Sequence, residues 1–340
     1  MRLFLKRFYF VFPVLFSCSS AAGDSLSSGP GLAAKFPGDF GLQEDSRVIQ
    51  VESFEQKKIA MLAAGWETVK SEKEMSFSPD VPKGSSGKQS LLMDRKSGPG
   101  ASLYRRIKNG KGGFGYDRLF VRYYVKFAED CGELHHFGPC LGGSFPATAW
   151  PSVKAGIPTD GSKSFWSGIE PYGKSWTWDY YTYWCEMGGS PPRGQTWGNS
   201  FIRDPSLKVE KGKWICIEQM IKMNDVGDTN GEQALWINGK LKSHLGKGFP
   251  KGRWLFDKFQ PGQGGDGVRW NHKKNDREYS KVPEGGAPFE GVRWRTVPEL
   301  NVNYLWLYVY TEKPEGHRIR VWFDHVVVAT EYIGPLAEKL

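Results

Sequence analysis

The chain of 340 residues contains 42 Gly, 21 Pro, 14 Trp, 14 Tyr and 21 Phe, and this length accommodates one large β domain or two small ones. Lys and Arg number 46 against 37 Asp and Glu, a formal net charge of +9, and such a surplus favours an anionic partner. The sequence shows no recognition helix, zinc finger or RNP-type motif, so an acidic polysaccharide is a better candidate than nucleic acid. Frequent Gly and Pro among many short apolar runs favour an all-β sandwich.

The first 22 residues have the features of an export signal. An apolar run over residues 8–16, too short to span a bilayer as a mature helix, follows three positive charges, Arg2, Lys6 and Arg7. The Leu-Phe-Ser-Cys sequence ending at Cys18 resembles a bacterial lipoprotein cleavage site, but Phe16 is unusual there, and cleavage near Ala21 is the alternative. We therefore expect an exported bacterial protein, in the periplasm, at the cell surface or secreted, with membrane attachment only through a lipid on Cys18.

Residues 23–47 are predicted to form a flexible linker. The stretch over residues 19–45 is rich in Ser, Gly and Ala, a composition typical of tethers. Strand and turn signals begin at about Val48, so we expect one folded domain over residues 48–335. We find no internal repeat and no convincing long helix, and we expect a monomer.

Four cysteines remain once Cys18 is removed. An even number of cysteines in an exported chain favours disulfides, and three connectivities are possible. A Cys131–Cys140 bond would close a short local loop and is our first choice, which leaves Cys185 to pair with Cys216. The spacing of these cysteines fits no zinc pattern.

Alternating apolar side chains predict most of the strands, since successive side chains of a strand point to opposite faces. The clearest run covers residues 118–127, and comparable runs cover residues 90–94, 102–106, 214–223, 232–237 and 319–330. The turn over residues 224–231 joins the strand at 214–223 to the strand at 232–237 as a hairpin. Two long segments, 138–200 and 257–295, are rich in Gly and are predicted to be functional loops, the first containing a strand at 180–185.

The strand over residues 304–310 has two unlike faces. Leu305, Leu307 and Val309 form an aliphatic row that fills a core. The opposite row is a flat aromatic surface suited to stacking on sugar rings and to moving protons, and it consists of Tyr304, Trp306, Tyr308 and Tyr310. The alternative is that these aromatics are present simply because they pack well in strands.

The sequence resembles a group of bacterial proteins placed with polysaccharide lyase families fourteen and twenty. The resemblance lies in the order and spacing of four segments, residues 119–127, 212–219, 230–240 and 321–335. The resemblance extends over roughly residues 60–335. It implies a concanavalin A-like β-jelly-roll sandwich of two antiparallel sheets. It also implies that a uronate-containing polymer lies on the concave face of one sheet and is cleaved there by β-elimination.

The resemblance further implies a set of catalytic residues. Tyr308 and Tyr310 match the Tyr-x-Tyr pattern of the group, and His135 or His136 lies where a strand residue of the same face could sit. The sequence departs from the group where Thr311 begins a Thr-Glu-Lys-Pro-Glu-Gly turn in place of a Phe-Gly-Gly-like one. The His-His-Phe-Gly-Pro-Cys segment is also unusual, and both departures affect the chemistry more than the fold.

Basic and aromatic side chains that share strand faces are predicted to bind the substrate. Arg122 is predicted to counter the substrate carboxylate, and the other members of the set are Tyr124, Lys126, Lys222 and Trp306. Arg122, Tyr124 and Lys222 are predicted to share the exposed concave face of one sheet with Tyr308 and Tyr310, so that cations and aromatic rings interleave in one groove. The alternative is that they form an ordinary solvated convex face.

A calcium site and two classes of function remain open. The Asx-rich turn over residues 224–231 makes calcium a minor alternative to no cofactor at all, because its spacing misses the EF-hand pattern. No Glu-x-Asp-x-x-Glu strand motif supports a jelly-roll glycosidase, which needs paired carboxylates. The two candidates are therefore a polysaccharide lyase that acts on an acidic glycan and a non-catalytic carbohydrate-binding module at the cell surface.

Overall fold

The computed structural model describes residues 26, 29–95, 99–189, 193–255, 258–261, 267–271, 273–274, 276–280, 287–312 and 318–337. The expected export signal over residues 1–22, with Cys18, lies outside these residues. Among the described residues, no helix is long and apolar enough to span a membrane.

The described part of the chain is built almost entirely from strands. In chain order they are β1 (Val48–Glu52), β2 (Thr68–Lys70), β3 (Met75–Ser78), β4 (Ser90–Asp94), β5 (Ser102–Arg106), β6 (Arg118–Phe127), β7 (His136–Phe137), β8 (Cys140–Ser144), β9 (Ser164–Tyr172), β10 (Thr177–Tyr183), β11 (Ile215–Lys222), β12 (Glu232–Ile237), β13 (Lys240–Leu245), β14 (Lys251–Leu255), β15 (Lys258–Pro261), β16 (Gly267–Asn271), β17 (Asp276–Ser280), β18 (Ala287–Glu290), β19 (Tyr304–Tyr310) and β20 (Arg320–Ala329). Short 3₁₀-helical segments cover Leu32–Lys35, Pro37–Asp39, Leu42–Glu44, Ile59–Ala64, Glu72–Glu74 and Gly173–Ser175.

Two large antiparallel sheets form a sandwich. The first sheet has the order β13-β12-β11-β6-β20-β4-β3, with β1 paired to β20, and the second has the order β10-β9-β8-β19-β5-β2, with β7 paired to β19. This arrangement confirms the predicted all-β jelly-roll sandwich. A third, smaller sheet of β14 to β18 lies in the segment 257–295 and the residues just before it, although the sequence predicted a loop there.

The core between the two large sheets follows the predicted alternation. The first sheet contributes Leu119, Val121, Tyr123, Val125 and Phe127 from β6, and the second contributes Leu305, Leu307 and Val309 from β19. The core also holds Gln219 and Gln233, which donate to the backbone oxygen and the hydroxyl of Ser167 respectively. The amide N–H groups therefore have partners inside the sandwich, whereas the Oε1 atoms of both residues are buried without a hydrogen-bond partner among the described residues.

The segment over residues 29–47 packs on the outer face of the first sheet. Leu32 and Leu42 are buried there in a cluster with Phe120 and Trp236, and the backbone N–H of Ala33 donates to the carbonyl of Ile333 at 2.8 Å. This part of the segment predicted to be a flexible linker is therefore ordered. The segment is rich in Ser and Gly, but it also contains a few apolar side chains, and these cover the sheet.

All four predicted disulfide partners are free thiols, so both predicted bonds are wrong. Cys140 lies on the outer face of the second sheet among aromatic rings, whereas Cys216 lies on β11 of the first sheet and is buried beside Tyr124 and Arg122. Cys131 lies in the turn after β6, and the thiol of Cys185 donates to the carbonyl of Arg293 at 2.8 Å. An even number of cysteines does not by itself place their thiols near one another.

Candidate active site

The outer face of the second sheet carries a continuous aromatic surface, which we call the aromatic face. The alternation predicted for β19 is confirmed, because one side of this strand joins the core and the other side joins this surface. The buried members are Tyr104, Cys140, Trp166, Tyr183, Tyr304 and Tyr308, and the partly buried members include Trp150, Tyr181, Trp306 and Tyr310.

Two glycines make room for the rings of this face. A Cβ atom at Gly138 would lie 2.8 Å from the Tyr308 ring, and a Cβ atom at Gly142 would lie 2.3 Å from the Tyr304 ring. Any side chain at these positions would therefore displace a ring. The Gly-rich composition of the predicted loop over residues 138–200 thus has a specific structural cause.

Four side chains, His136, Tyr310, Tyr181 and Glu170, form a polar group on the aromatic face, which we call the His136 cluster. The short strand β7 pairs with β19 and places His136 directly opposite Tyr310. The His136 ring stacks on the Tyr310 ring with centroids 6.0 Å apart and lies 4.6 Å from the Tyr181 ring. The cluster brings a base, a phenol and a carboxylate together at a partly exposed surface.

Glu170 is the carboxylate of the His136 cluster and is nearly buried. Its oxygens lie 3.4 and 3.5 Å from Nδ1 of His136, and the backbone N–H of Phe137 donates to it at 3.4 Å. These contacts hold the carboxylate against one nitrogen of the imidazole. Sequence analysis missed Glu170, because a single Glu on a strand carries no motif.

The two predicted tyrosines have different environments. Tyr308 is only 3% exposed, stacks on Trp306 at 4.0 Å and donates to the Cys140 thiol, and its burial raises the pKa of the phenol well above the ordinary value. Tyr310 is partly exposed and donates to the Glu312 carboxylate at 3.0 Å. Burial and the Glu312 carboxylate raise the pKa of Tyr310. Tyr310 is therefore the more accessible of the two.

His135 lies beside the His136 cluster and points outward. Its ring is 5.5 Å from the Tyr310 ring, and its Nδ1 atom lies 3.5 Å from the Glu312 carboxylate. The side chain is 44% exposed, against 21% for His136. Of the two predicted histidines, His136 is the one that the fold packs into the aromatic face.

Four predicted substrate-binding residues lie on the other side of the sandwich. Arg122, Tyr124 and Lys126 are on the outer side of β6 and Lys222 is on the same side of β11, in the first sheet, whereas Tyr308 is on the outer face of the second sheet. The predicted groove that joins Arg122 to Tyr308 is therefore wrong. Alternation shows which side chains share a strand face, but it does not show which sheet the strand enters.

These four side chains have structural partners. Arg122 is fully buried and its Nη2 atom lies 2.6 Å from the Asp39 carboxylate. Tyr124 accepts a hydrogen bond from the backbone N–H of Leu336, and Lys222 pairs with Glu232 at 2.7 Å. Lys126 pairs with Asp80. Of the predicted substrate-binding set, Trp306 alone is on the aromatic face.

The Asx-rich turn over residues 224–231, where calcium was a minor alternative, is held by its own hydrogen bonds. Asn224 accepts from the backbone N–H groups of Trp294 and Arg295, and its amide donates to three carbonyl oxygens, those of Asp225, Asp228 and Arg295. Among the described residues, no group of three or more His, Cys, Asp or Glu side chains is placed to hold a metal ion.

Solved structures with a similar fold include three lyases. The PL-14 alginate lyase from Aplysia kurodai matches with a TM-score of 0.52 at 14% sequence identity, over 83% of this chain and 99% of that one. The two chains share the jelly-roll sandwich fold. The alginate lyase vAL-1 from Chlorella virus matches with a TM-score of 0.48 at 13% identity, over 84% of this chain and 100% of that one. The endo-β-1,4-glucuronan lyase from Trichoderma reesei matches with a TM-score of 0.42 at 15% identity, over 83% and 95%.

No protein-family model matches the sequence, and no curated protein matches it. At identities this low the likeness shows the fold, and the chemistry has to be argued from the side chains.

Proposed function

We propose that this protein is a lyase that cleaves a uronate-containing polysaccharide by β-elimination on the aromatic face. One observation carries the proposal. The His136 imidazole lies against the Glu170 carboxylate and beside the Tyr310 ring, on a partly exposed surface of aromatic rings. This arrangement provides the two proton transfers that β-elimination requires, next to rings on which sugars can stack.

His136 is the base that removes the C5 proton. Its Nδ1 atom faces Glu170, so we place the ring proton on Nδ1, where it is donated to the carboxylate. The lone pair of Nε2 is then free to accept the proton from the sugar. Glu170 also stabilises the imidazolium that forms.

Tyr310 is the acid that protonates the leaving O4 oxygen. A phenol is protonated at neutral pH and can therefore donate a proton, although burial and Glu312 raise the pKa of Tyr310 and make it a weaker acid than an exposed tyrosine. As the C5–H bond breaks, its electron pair forms the C4=C5 double bond, the C4–O4 bond breaks, and the departing oxygen takes the phenol proton. Proton return from the His136 imidazolium through solvent restores Tyr310.

The remaining aromatic rings hold the sugar chain. Trp306 is partly exposed on the same face as the His136 cluster, and Tyr181 is a partly exposed member of the cluster itself. Indole and phenol rings bury a large area at a small cost in conformational freedom and offer flat surfaces to pyranose rings. Binding therefore depends on rings that adjoin the reacting pair.

The second candidate, a non-catalytic carbohydrate-binding module, is favoured by one contact. The Tyr310 phenol donates to Glu312 at 3.0 Å, so in the free protein its proton is already bound by that carboxylate. A binding module needs the rings and does not need this proton to be released.

The two candidates are distinguished by incubating the purified protein with alginate, glucuronan and related polymers and recording the absorbance of an unsaturated product. The lyase proposal predicts an absorbance rise with at least one uronate polymer, loss of the rise in Tyr310→Phe, and no loss in Tyr116→Phe, a control at a partly buried tyrosine outside the face. Binding of the polymers without any unsaturated product would make the binding module the correct reading.

A further inference from the structure

One edge of the aromatic face carries a cation that the proposed chemistry does not use. Lys70 is exposed on β2, the edge strand of the second sheet, and its Nζ atom lies 3.2 Å from the centre of the Trp150 ring. A cation over the face of an indole at this distance is attracted by the ring quadrupole. The contact fixes the position of the ammonium group above the sheet.

Trp150 reaches this position from a loop that the sheet itself anchors. Its ring packs edge-on against Trp306 at 5.2 Å and tilted against Tyr104 at 5.6 Å. The Tyr104 hydroxyl donates to the carbonyl of Thr148 at 2.9 Å, and the Thr148 hydroxyl donates to the carbonyl of Trp150 at 2.7 Å. The loop is thus hydrogen-bonded to the aromatic face next to Trp150.

Lys70 lies in the same row across the sheet as Tyr308. It pairs with Ser102 on β5, and Ser102 pairs with Tyr308 on β19. Two strand spacings separate the backbones of Lys70 and Tyr308, roughly 10 Å. Tyr310 of the His136 cluster is two residues beyond Tyr308 on the same side of β19, so a polymer bound at the cluster and running across the strands passes near Lys70.

The charge of Lys70 is available to a ligand. Among the described residues, no carboxylate lies within ion-pair distance of its ammonium group, whereas the nearby Arg106 is paired with Glu67 at 2.8 Å. An ammonium group is a compact point charge with three donors, well matched to a single carboxylate.

We infer that Lys70, positioned by Trp150, binds the carboxylate of a uronate residue next to the cleaved linkage, so that this edge of the aromatic face is a charged sugar subsite. The inference rests on the proposed function, because it takes the polymer to lie on this face. Lys70 would thus bind a substrate carboxylate, a role that was predicted from the sequence for Arg122. It also restricts the substrate to polymers with an acidic group at the flanking residue.

The test compares binding of a charged polymer with binding of its neutral form. Wild-type protein and the variants Lys70→Met, Lys70→Arg and Lys240→Met are titrated calorimetrically with glucuronan, alginate and carboxyl-reduced glucuronan. Lys240 is an exposed lysine on β13 of the first sheet, so Lys240→Met controls for the loss of one positive charge. Product formation is recorded in parallel.

The inference predicts that Lys70→Met lowers the affinity for at least one of the two uronate polymers by about five- to tenfold, as for one charge-assisted contact. Lys70→Arg restores most of that affinity, Lys240→Met leaves it unchanged, and no variant alters the affinity for the reduced polymer. Trp150→Leu is expected to weaken uronate binding as well. The loss of affinity caused by Trp150→Leu should be smaller in the Lys70→Met background than in the wild-type protein.

Equal binding by wild type and Lys70→Met would overturn the inference, and so would an equal loss on the charged and the neutral polymer. Wild-type protein that binds none of the uronate polymers would overturn it too. If Lys70→Met selectively weakens uronate binding while wild type forms no unsaturated product, the subsite is supported and the lyase proposal fails.

Discussion

Burial decides which residues of the predicted catalytic set can react. Tyr308 and Tyr310 point to the same side of β19 and look equivalent in sequence, yet Tyr308 is packed between Trp306 and Cys140 while Tyr310 is accessible beside His136. A phenol that is fully covered has no path to a sugar oxygen. The reactive pair is therefore Tyr310 with His136.

Replacing each tyrosine by phenylalanine separates their roles. Tyr310→Phe is expected to lower kcat about 10²- to 10⁴-fold, the usual contribution of one acid–base group. Tyr308→Phe should change kcat less than tenfold, because it removes only the hydrogen bond to Cys140. Initial rates on the same polymer measure both, and a larger loss in Tyr308→Phe than in Tyr310→Phe would reverse the assignment.

Glu170 acts through His136, so its replacement should affect turnover more than binding. Glu170→Gln keeps the size of the side chain but removes the charge that stabilises the imidazolium. We expect kcat to fall at least tenfold while KM changes less than threefold, since the sugar does not contact Glu170 in the proposed mechanism. Steady-state kinetics measure this split, and an unchanged kcat would remove Glu170 from the mechanism.

At the scale of elements, the outer face of the first sheet is a structural surface. A ladder of side chains crosses β11, β12 and β13, where Glu232 accepts from Lys222 at 2.7 Å and lies 2.9 Å from His244. The segment over residues 29–47 covers the neighbouring part of the sheet through Leu32 and Leu42. Polar residues that were predicted to line a binding groove instead form ion pairs between strands and with the segment that covers the sheet.

The Glu232 ladder should make stability depend on acid pH. Burial acts to raise the pKa of Glu232, but hydrogen bonds and charges from His244 and Lys222 outweigh it and lower the pKa to about 2. The folded pKa lies below the ordinary value of 4.5, so the contribution is complete above about pH 5 and is lost as the pH falls from 4.5 toward 2. We expect it to be about 1–2 kcal/mol, allowing for the partial exposure of Lys222.

Urea unfolding at pH 7, 5 and 3 tests the ladder. The stability difference between wild type and Glu232→Gln should shrink as the pH falls. The same comparison for Glu210→Gln, at an exposed ion pair with Lys213, should show little change. A constant difference for Glu232→Gln across the three pH values would contradict the prediction.

The buried ion pair between Arg122 and Asp39 links the covering segment to the sheet. Burial acts to raise the pKa of Asp39, but the Arg122 guanidinium and His325 lower it overall, so the carboxylate is charged in the folded protein. Asp39→Ala leaves the guanidinium buried without its counter-charge, which costs about 3–5 kcal/mol. Equilibrium urea unfolding should show this loss, and Arg122→Met in the same background should recover part of it.

A surface pair supplies the control for the Arg122 experiment. Asp45 pairs with the exposed Arg47 at 2.7 Å, and Asp45→Ala should cost no more than about 1 kcal/mol. Equal losses in Asp39→Ala and Asp45→Ala would show that the buried pair does not hold the segment.

The whole molecule presents two sheet faces with different uses. One is covered by the segment over residues 29–47 and by ion pairs, and the other carries the aromatic face with the His136 cluster at its centre and Lys70 at its edge. No cross-link between cysteines is needed for this arrangement, since all four described thiols are free. The sandwich depends on packing.

Thiol titration tests the absence of disulfides. Burial raises the pKa of Cys131 to about 11 and that of Cys216 to about 12, so both should react slowly in the folded protein. A chain that starts at residue 23 should yield four reactive thiols when unfolded in denaturant without reductant. Two thiols or none would mean that disulfides form after all.

The strands were predictable from sequence because alternation is a local property. The predicted runs over residues 118–127 and 304–310 coincide with β6 and β19. The partners of those strands depend on contacts far apart in sequence, which is why Arg122 and Tyr308 were wrongly joined in one groove. Trp150 reaches the aromatic face through a loop and Glu170 belongs to no motif, so neither could be assigned a role from periodicity.

The most direct test of the central claim is the mass of the oligosaccharides released from glucuronan or alginate. Elimination leaves an unsaturated sugar at the new non-reducing end, so each such fragment is lighter by one water than the product of hydrolysis. If His136 and Tyr310 carry out β-elimination, wild-type protein releases these lighter fragments and the His136→Gln, Tyr310→Phe double variant does not. Fragments with the mass of hydrolysis products, or an undiminished yield from the double variant, would contradict it.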